Sequence, residues 1–209
     1  ATRCWPTEWS REARDRAAGT LRRSEPGPER PGPKGRERES MSDVPADVAK
    51  LIGEVLYEED GEFPVERGYI WTTCSSVENG NPLFWDDEVA AALTDGPITP
   101  STMLSVWFRP HHWVPGRTSS GLPLQVHFDL KDRFDLPEAV MTDNTLVFHE
   151  PVRPGDRLST RQILRSVSEE KTTKLGTGRF WVIDVEYQNQ RGDLVGVESY
   201  TGFGYRKAG

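Results

Sequence analysis

A small set of side chains in this sequence has the type and spacing that acid and base catalysis requires. His127 and Asp129 lie two positions apart, so on a strand both side chains would face the same way and could form a dyad. Glu78 is a further carboxylate candidate, next to Asn79 at the start of a turn that contains Asn81. A serine hydrolase is not indicated, because the sequence has no Gly-x-Ser-x-Gly elbow.

Composition and charge exclude several classes of protein. The 209 residues include 26 Lys and Arg against 33 Asp and Glu, which gives a formal net charge of −7 at pH 7. An acidic chain lacks the positive face that a nucleic-acid partner requires. We find no apolar run long enough for a membrane-spanning helix, and Cys4 and Cys74 belong to no metal-ligand pattern. The sequence predicts no metal site and no cofactor, and we expect a cytoplasmic protein.

Residues 1–40 differ in composition from the rest of the chain. They contain ten basic and seven acidic residues, and the stretch 24–36 is rich in proline and glycine without an apolar side chain to bury. Such a segment is expected to be a disordered tail or the product of an over-extended start, with the true beginning at Met41. Residues 41–209 are then expected to form a single domain.

Helical patterns dominate the first half of the predicted domain. Caps and apolar spacing predict helices at about residues 42–53, 67–77, 86–93 and 101–108. The last of these follows Thr99-Pro100 and has almost no polar face, since Met103, Leu104 and Trp107 are all apolar. A helix of this kind must be enclosed by other structure.

The periodicity changes to two beyond residue 121. Strands are predicted at about 144–150, 157–168, 178–188 and 194–206. In the third strand one face carries the apolar residues Trp181, Ile183, Val185 and Tyr187. Helices followed by a meander of long strands indicate an α+β domain, in which an antiparallel sheet wraps around a central apolar helix.

Three ordered motifs resemble those of a known family. They are Asn-x-Asn-Pro-Leu-Phe-x-Asp-x-x-x-Ala at residues 79–90, Phe-His-Glu-Pro-Val-Arg-Pro-Gly-Asp at 148–156, and Asn-Gln-x-Gly at 189–192. Over about residues 48–206 the chain is similar to MaoC-like hot-dog dehydratases and hydratases, in particular to the degenerate N-terminal-type domains that accompany an active subunit. The resemblance implies a hot-dog fold, pairing of two such domains, and acyl-CoA or acyl-carrier thioesters as ligands.

The resemblance also defines where catalytic residues would stand. Active members of the family carry Gly-Asp-x-Asn-Pro-x-His, whose Asp and His act on water. On this sequence Glu78 stands at the glycine, Asn79 at the Asp and Phe84 at the His, whereas Asn81 and Pro82 match. Neither an amide nor a phenyl ring exchanges a proton near neutral pH. Independent catalysis would therefore need a surrogate such as Glu78, or the His127 and Asp129 dyad.

An aromatic segment is the candidate for ligand binding. Trp107 and Trp113 are expected to border an apolar tunnel for an acyl tail, with Met103 in its wall and Asn81 near the substrate. These residues could equally belong to the core or to an interface.

The resemblance predicts a subunit of a hetero-oligomeric enoyl-CoA hydratase that binds an acyl-CoA thioester beside a catalytic MaoC-like partner chain. Two alternatives remain open at this stage. One is a self-sufficient hot-dog hydratase or thioesterase that uses other residues. The other is an acyl-CoA binding module without chemistry.

Overall fold

The computed structural model describes residues 44–109, 115–116 and 124–207, and apart from β1 the helices precede the strands. The α-helices are α1 (Ala46–Ala49), α2 (Arg67–Ser76), α3 (Asp87–Thr94) and α4 (Gln125–Arg133), and 3-10 helices span Pro82–Phe84 and Ser101–Phe108. The strands are β1 (Val55–Asp60), β2 (Glu138–Phe148), β3 (Leu158–Val167), β4 (Lys171–Thr172), β5 (Thr177–Asn189) and β6 (Leu194–Arg206). The predicted tail, residues 1–40, lies outside the described residues.

The strands of the described residues form one antiparallel sheet. Its order is β1-β3-β5-β6-β2, with β4 paired to the start of β5. The β5–β6 connection is tight because the Asn189 side-chain oxygen accepts hydrogen bonds from the Arg191 and Asp193 backbone amides, at 2.9 and 3.1 Å. Gly192 supplies the left-handed conformation in this turn, with φ of 82°. The predicted α+β domain with long antiparallel strands is confirmed, but the strands do not form a simple meander, because β2 pairs with β6 and not with β3.

One face of β5 organises the core. Its inward residues are those that the alternation predicts, and all four are buried: Trp181, Ile183, Val185 and Tyr187. The first apolar cluster forms at the Val185 end and has the buried members Val65, Ile70, Cys74, Met103, Leu104, Val152, Leu158, Val185, Tyr187 and Val195. The second apolar cluster forms at the Trp181 end and has the buried members Val44, Val48, Val126, Leu130, Leu136, Leu164, Trp181 and Ile183. Helical residues of both apolar clusters therefore pack against the same face of β5.

The prediction about the enclosed helix was wrong in part. Residues 101–108 do form a helix, but it is a 3-10 helix in which Met103 and Leu104 are buried while Ser101 and Thr102 are exposed. Trp107 is half-buried. The exposed residues stand at the start of the helix, and every residue from Met103 to Phe108 is buried or half-buried.

Helix α4 was missed because the sequence after residue 121 was interpreted as strand. Val126 and Leu130 lie four positions apart and both pack into the second apolar cluster, beside Trp181 and Ile183. The N-terminal end of α4 is held by the sheet, since the Gln162 side-chain oxygen accepts a hydrogen bond from the Val126 amide at 3.3 Å. This contact joins residues 36 positions apart, and no local pattern predicts it.

Other boundaries agree closely. Predicted helices at 67–77 and 86–93 correspond to α2 and α3, and Asp86 caps α3 by accepting from the Glu88 and Val89 amides at 2.9 and 3.2 Å. The helix predicted at 42–53 is shorter in the structure, where α1 covers Ala46–Ala49. Strand β1 and the first residues of β2 were missed. Both are edge strands whose exposed polar residues blur the two-residue alternation.

A substitution at Gly204 should destabilise the domain. A Cβ at this position would overlap Trp181 Cη2 and lie 3.1 Å from Leu136 Cδ1. We expect Gly204→Ala to lower the free energy of unfolding by about 1–3 kcal/mol, the usual cost of overpacking a core. Gly68→Ala is the matched control, because nothing lies within 4 Å of a Cβ there and alanine favours the helix. Urea unfolding that gave both variants equal stability would contradict this packing.

Candidate active site

The turn that carries the predicted catalytic positions follows helix α2. The helix ends at Ser76, and the Glu78 backbone turns into the left-handed region with φ of 52°. The Asn79 amide then donates to the Cys74 carbonyl at 2.8 Å, which brings the chain back toward the end of α2. Glu78 is exposed. The backbone of this turn is therefore anchored to α2, and the Glu78 side chain lies in solvent.

The asparagine side chains are engaged inside the turn. Asn79 Oδ1 accepts a hydrogen bond from the Asn81 amide at 3.1 Å. Asn81 Oδ1 accepts in turn from the Leu83 amide at 3.1 Å, which caps the 3-10 helix Pro82–Phe84. Asn81 was predicted to contact substrate, but its side-chain oxygen already accepts a hydrogen bond within the turn.

Indole groups fix the far end of the turn. Trp85 Nε1 donates to the Asn79 carbonyl at 2.7 Å, and Trp71 Nε1 donates to the Phe84 carbonyl at 3.0 Å. The Trp71 and Trp85 rings are stacked, with centroids 6.2 Å apart. The Phe84 ring is half-buried and packs against the first apolar cluster. At the position where the family motif has a proton-transferring His, this chain has an apolar packing contact.

An ion pair joins the helices on either side of the turn. Arg67 on α2 donates two hydrogen bonds to the Asp87 carboxylate on α3, one of them from Nη1 at 3.0 Å. The Arg67 guanidinium also lies over the Trp71 ring, 4.8 Å from its centroid. The hydrogen bonds from Arg67 lower the pKa of Asp87. These exposed contacts fix the orientation of α2 relative to α3 more than they add stability.

The residues predicted to line an acyl tunnel meet in the first apolar cluster. Met103 is a buried member, and Trp107 packs against the cluster with its ring edge-on to Tyr69, at a centroid distance of 5.6 Å. Phe84 packs against the same cluster, so the turn and the 101–108 helix meet there. Trp113 lies outside the described residues.

The structure does not bring His127 and Asp129 together. Both lie on helix α4 rather than on a strand, and residues two apart on a helix face different directions. His127 is buried, and its Nδ1 accepts a hydrogen bond from Trp181 Nε1 at 3.1 Å. Asp129 accepts hydrogen bonds from Tyr57 Oη at 2.5 Å and from Gln125 Nε2 at 2.9 Å. The interpretation of this pair as a strand dyad was therefore wrong.

A buried polar cluster on the sheet was missed by sequence reasoning. Glu198 lies on the same sheet face as Val185, its partner on β5, and is buried. Its carboxylate accepts from Asn144 Nδ2 at 2.9 Å and from Tyr187 Oη at 3.1 Å. Burial, and then the nearby Glu198 charge, raises the pKa of Tyr187, and burial followed by the hydrogen bond with Glu198 raises that of Tyr200. The sequence signal that could have revealed this cluster is Glu198, a charged residue at a β6 position whose side chain points to the core.

The other two sequence motifs contact each other. Asp156 is buried, and its carboxylate accepts from the Arg153 amide at 2.8 Å and from Gln190 Nε2 at 3.0 Å. The Arg153 guanidinium donates to the carbonyls at the end of α3, including that of Thr94 at 2.7 Å. Hydrogen bonds therefore hold the segments 148–156 and 189–192 together, and Arg153 also caps the C-terminal end of α3.

Side chains that can ligate a metal ion are not clustered in the part of the chain that the structure describes. No group of three or more His, Cys, Asp and Glu side chains comes together there to hold a metal ion. Across the same ranges, no helix has the length and apolar character needed to cross a membrane.

A fold made of one antiparallel sheet, with helices packed on a single face, defines an α+β domain. Solved structures identify it as the hot-dog fold. The structure of the ChsH1-ChsH2 complex from Mycobacterium tuberculosis matches with a TM-score of 0.64 and 24% identity, covering 78% of this chain and 90% of that chain. The MaoC-like dehydratase from Rhodospirillum rubrum matches with a TM-score of 0.51 and 19% identity, covering 75% and 94%. The predicted hot-dog fold is confirmed.

Sequence comparisons identify the family. Residues 50–197 match the family model described as FAS1-like, dehydratase domain region. A probable enoyl-CoA hydratase alpha subunit from Thermomonospora curvata is 27% identical over 155 residues, which is 73% of this chain and 48% of that protein. A UPF0336 protein from Parafrankia sp. (strain EAN1pec) is 30% identical over 140 residues, 66% of this chain and 82% of that protein.

Since the family model matches well over half of its length, the chain belongs to the family described as FAS1-like, dehydratase domain region. It spans about half the length (48%) of the hydratase alpha subunit that it resembles.

Stability should depend on pH through His127. Burial, and secondarily the Lys131 charge, lowers the pKa of His127 below its ordinary value of 6.5. The unfolded chain therefore binds a proton that the folded chain does not, so the free energy of unfolding should fall as pH drops below about 6.5.

We expect this loss between pH 7 and pH 5 to be smaller in His127→Asn, whose amide oxygen can still accept the bond from Trp181 but cannot titrate. Urea unfolding of both proteins at the two pH values measures the difference. An identical pH dependence in the two proteins would show that His127 titrates normally.

Proposed function

We propose that this chain is the non-catalytic, acyl-shaping subunit of a hetero-oligomeric enoyl-thioester hydratase. In this assembly a MaoC-like partner chain supplies the Asp and His that add water to the double bond. The present chain contributes one wall of the site that holds the acyl tail. The activity belongs to the complex.

The proposal rests on the chemistry of the turn at residues 78–84. A hydratase needs a base to activate water and an acid to protonate the α-carbon. Asn79 offers an amide whose oxygen already accepts from the Asn81 backbone, and Phe84 offers a ring packed on the first apolar cluster. Neither group transfers a proton. The turn therefore matches the family motif at Asn81 and Pro82 while lacking both of its reactive groups.

Similar proteins support an assembly of two kinds of chain. One relative is described as a probable alpha subunit of an enoyl-CoA hydratase, a term that implies a second subunit. The Mycobacterium tuberculosis structure with the same fold is a complex of ChsH1 with ChsH2.

The sheet offers an edge at which a partner can bind. Strand β2 is the last strand of the sheet and pairs on one side with β6. It exposes apolar side chains on both faces, namely Val140, Met141, Leu146, Val147 and Phe148. The opposite edge, β1, ends in Glu58, Glu59 and Asp60, and such charges discourage pairing. We therefore assign the partner to the β2 edge, where apolar residues and unpaired backbone groups coincide.

The acyl tail is assigned to the surface around Trp107. Met103 is fully packed in the core, so its role in the wall is to support the 101–108 helix. Trp107 is half-buried and contacts Tyr69, which is 42% exposed. An apolar tail that extended along these two rings would bury area in proportion to its length.

Because the proposed function leaves the acid and the base to the partner chain, we expect the purified chain to hydrate crotonyl-CoA no faster than background. Loss of acid and base assistance typically costs about 10²- to 10⁴-fold for each group. Addition of a hydratase chain with an intact Asp-x-Asn-Pro-x-His motif should produce turnover and co-elution on a sizing column. The assay follows the loss of the enoyl absorbance.

Two results would contradict the proposal. Robust turnover by the chain alone would favour a self-sufficient enzyme. A stable homodimer that binds CoA thioesters, and that neither reacts nor associates with a hydratase chain, would favour a binding module.

Substitution of Trp107 should change which acyl tails the complex accepts. Trp107→Ala is expected to reduce kcat/KM for a twelve-carbon enoyl-CoA by about 10-fold or more beyond its effect on crotonyl-CoA, because a short chain buries little area at the wall. Leu175→Ala, which shortens another exposed apolar side chain, is the control. Equal losses with both substrates would mean that the Trp107 ring does not contact the acyl tail.

A further inference from the structure

One of the four tryptophans that the structure describes has an indole N–H group without a hydrogen-bond partner. Three of the four donate a hydrogen bond within the chain: Trp71 to the Phe84 carbonyl at 3.0 Å, Trp85 to the Asn79 carbonyl at 2.7 Å, and Trp181 to His127 Nδ1 at 3.1 Å. Nε1 of Trp107 is buried and has no hydrogen-bond partner among the residues that the structure describes. Trp107 therefore holds an unused donor.

The surroundings of Trp107 explain why the donor is unused. Its ring packs against the first apolar cluster and stands edge-on to the Tyr69 ring, 5.6 Å away between centroids. A buried donor without an acceptor is unfavourable, and such groups are rare in folded proteins. Arg161 Nε also lacks a hydrogen bond, yet it lies 3.2 Å from the Glu58 carboxylate and so has an ionic partner. Trp107 has no comparable compensation.

Packing alone does not require tryptophan at this position. A phenylalanine would present an apolar ring to the same cluster without burying an N–H group. The 101–108 helix already ends in Phe108, whose ring packs edge-on against Tyr187 at 5.5 Å, so an aromatic ring without a donor suits this helix. The feature that distinguishes Trp107 is the N–H itself, which can donate but cannot accept.

We propose that the Trp107 N–H binds a carbonyl oxygen of the acyl-CoA ligand, either the thioester carbonyl or an amide carbonyl of the pantetheine arm. This inference rests on the proposed function, since it takes the acyl-thioester ligand from there. Trp107 then has two roles. Its ring contacts the apolar tail, and its N–H fixes the polar part of the ligand. Tyr69, exposed and edge-on to the indole, is the second ring along which the tail would lie.

The test uses the complex with the hydratase chain and compares the wild-type chain with Trp107→Phe, which keeps an aromatic ring and removes the donor. Two probes are titrated by calorimetry: butyryl-CoA, and S-butyl-CoA, which lacks the thioester carbonyl but keeps the pantetheine amides. We expect Trp107→Phe to bind butyryl-CoA about 3- to 10-fold more weakly, the range typical of one lost hydrogen bond. Thermal stability should not fall, because no bond within the chain is removed.

The second probe identifies the acceptor. An unchanged affinity for S-butyl-CoA assigns the bond to the thioester carbonyl, whereas an equal loss with both probes assigns it to a pantetheine amide. Trp71→Phe is the matched control. It removes an indole N–H that is bonded to the Phe84 carbonyl, so it should lower the melting temperature and leave the preference between the two probes unchanged.

Three results would overturn the inference. If wild type binds both probes and Trp107→Phe binds them equally well, the inference fails and the proposed function stands. If Trp107→Phe instead weakens association with a hydratase chain and leaves probe binding unchanged, the donor serves the partner. If wild type binds neither probe, the acyl-thioester ligand of the proposed function fails, and this inference fails with it.

Discussion

The architecture depends on the alternation along strand β5, which places Trp181, Ile183, Val185 and Tyr187 on one face of the sheet. Helix α4 packs at one end of this row and the 101–108 helix at the other, so a single strand joins both apolar clusters. A shift of the strand by one residue would turn the whole row to the opposite face. The packing of Met103 and Leu104 beside the candidate turn depends on this register.

Under the proposed function, the candidate site is a catalytic turn that persists without catalysis. Backbone and amide hydrogen bonds hold the loop that follows α2, and Trp71 and Trp85 donate to its carbonyls. None of these contacts requires an acid or a base. A chain that works beside an active partner needs the turn for its shape and its packing, whereas proton transfer can be left to the other subunit. Loss of reactive groups is then compatible with a well-ordered site.

Much of the fold could be predicted because its signals are local. The Asp86 cap, the alternation of β5 and the Asn189 to Gly192 turn each depend on residues a few positions apart. Helix α4 was missed because its stability comes from contacts with the distant sheet rather than from caps of its own. The Glu198 cluster was missed for the same reason, since Asn144 and Glu198 meet through strand pairing. The turn could be located by its motif, but the unused Trp107 donor depends on tertiary packing.

The central claim is that protons are transferred by the partner chain. The most direct measurement is the hydration rate of the reconstituted complex with a substitution in one chain at a time. The account predicts that replacing the His of the partner's intact motif with alanine abolishes turnover, whereas Glu78→Gln in this chain leaves kcat within about twofold of wild type. A complex that kept its activity without the partner's His, and lost it with Glu78→Gln, would contradict the account.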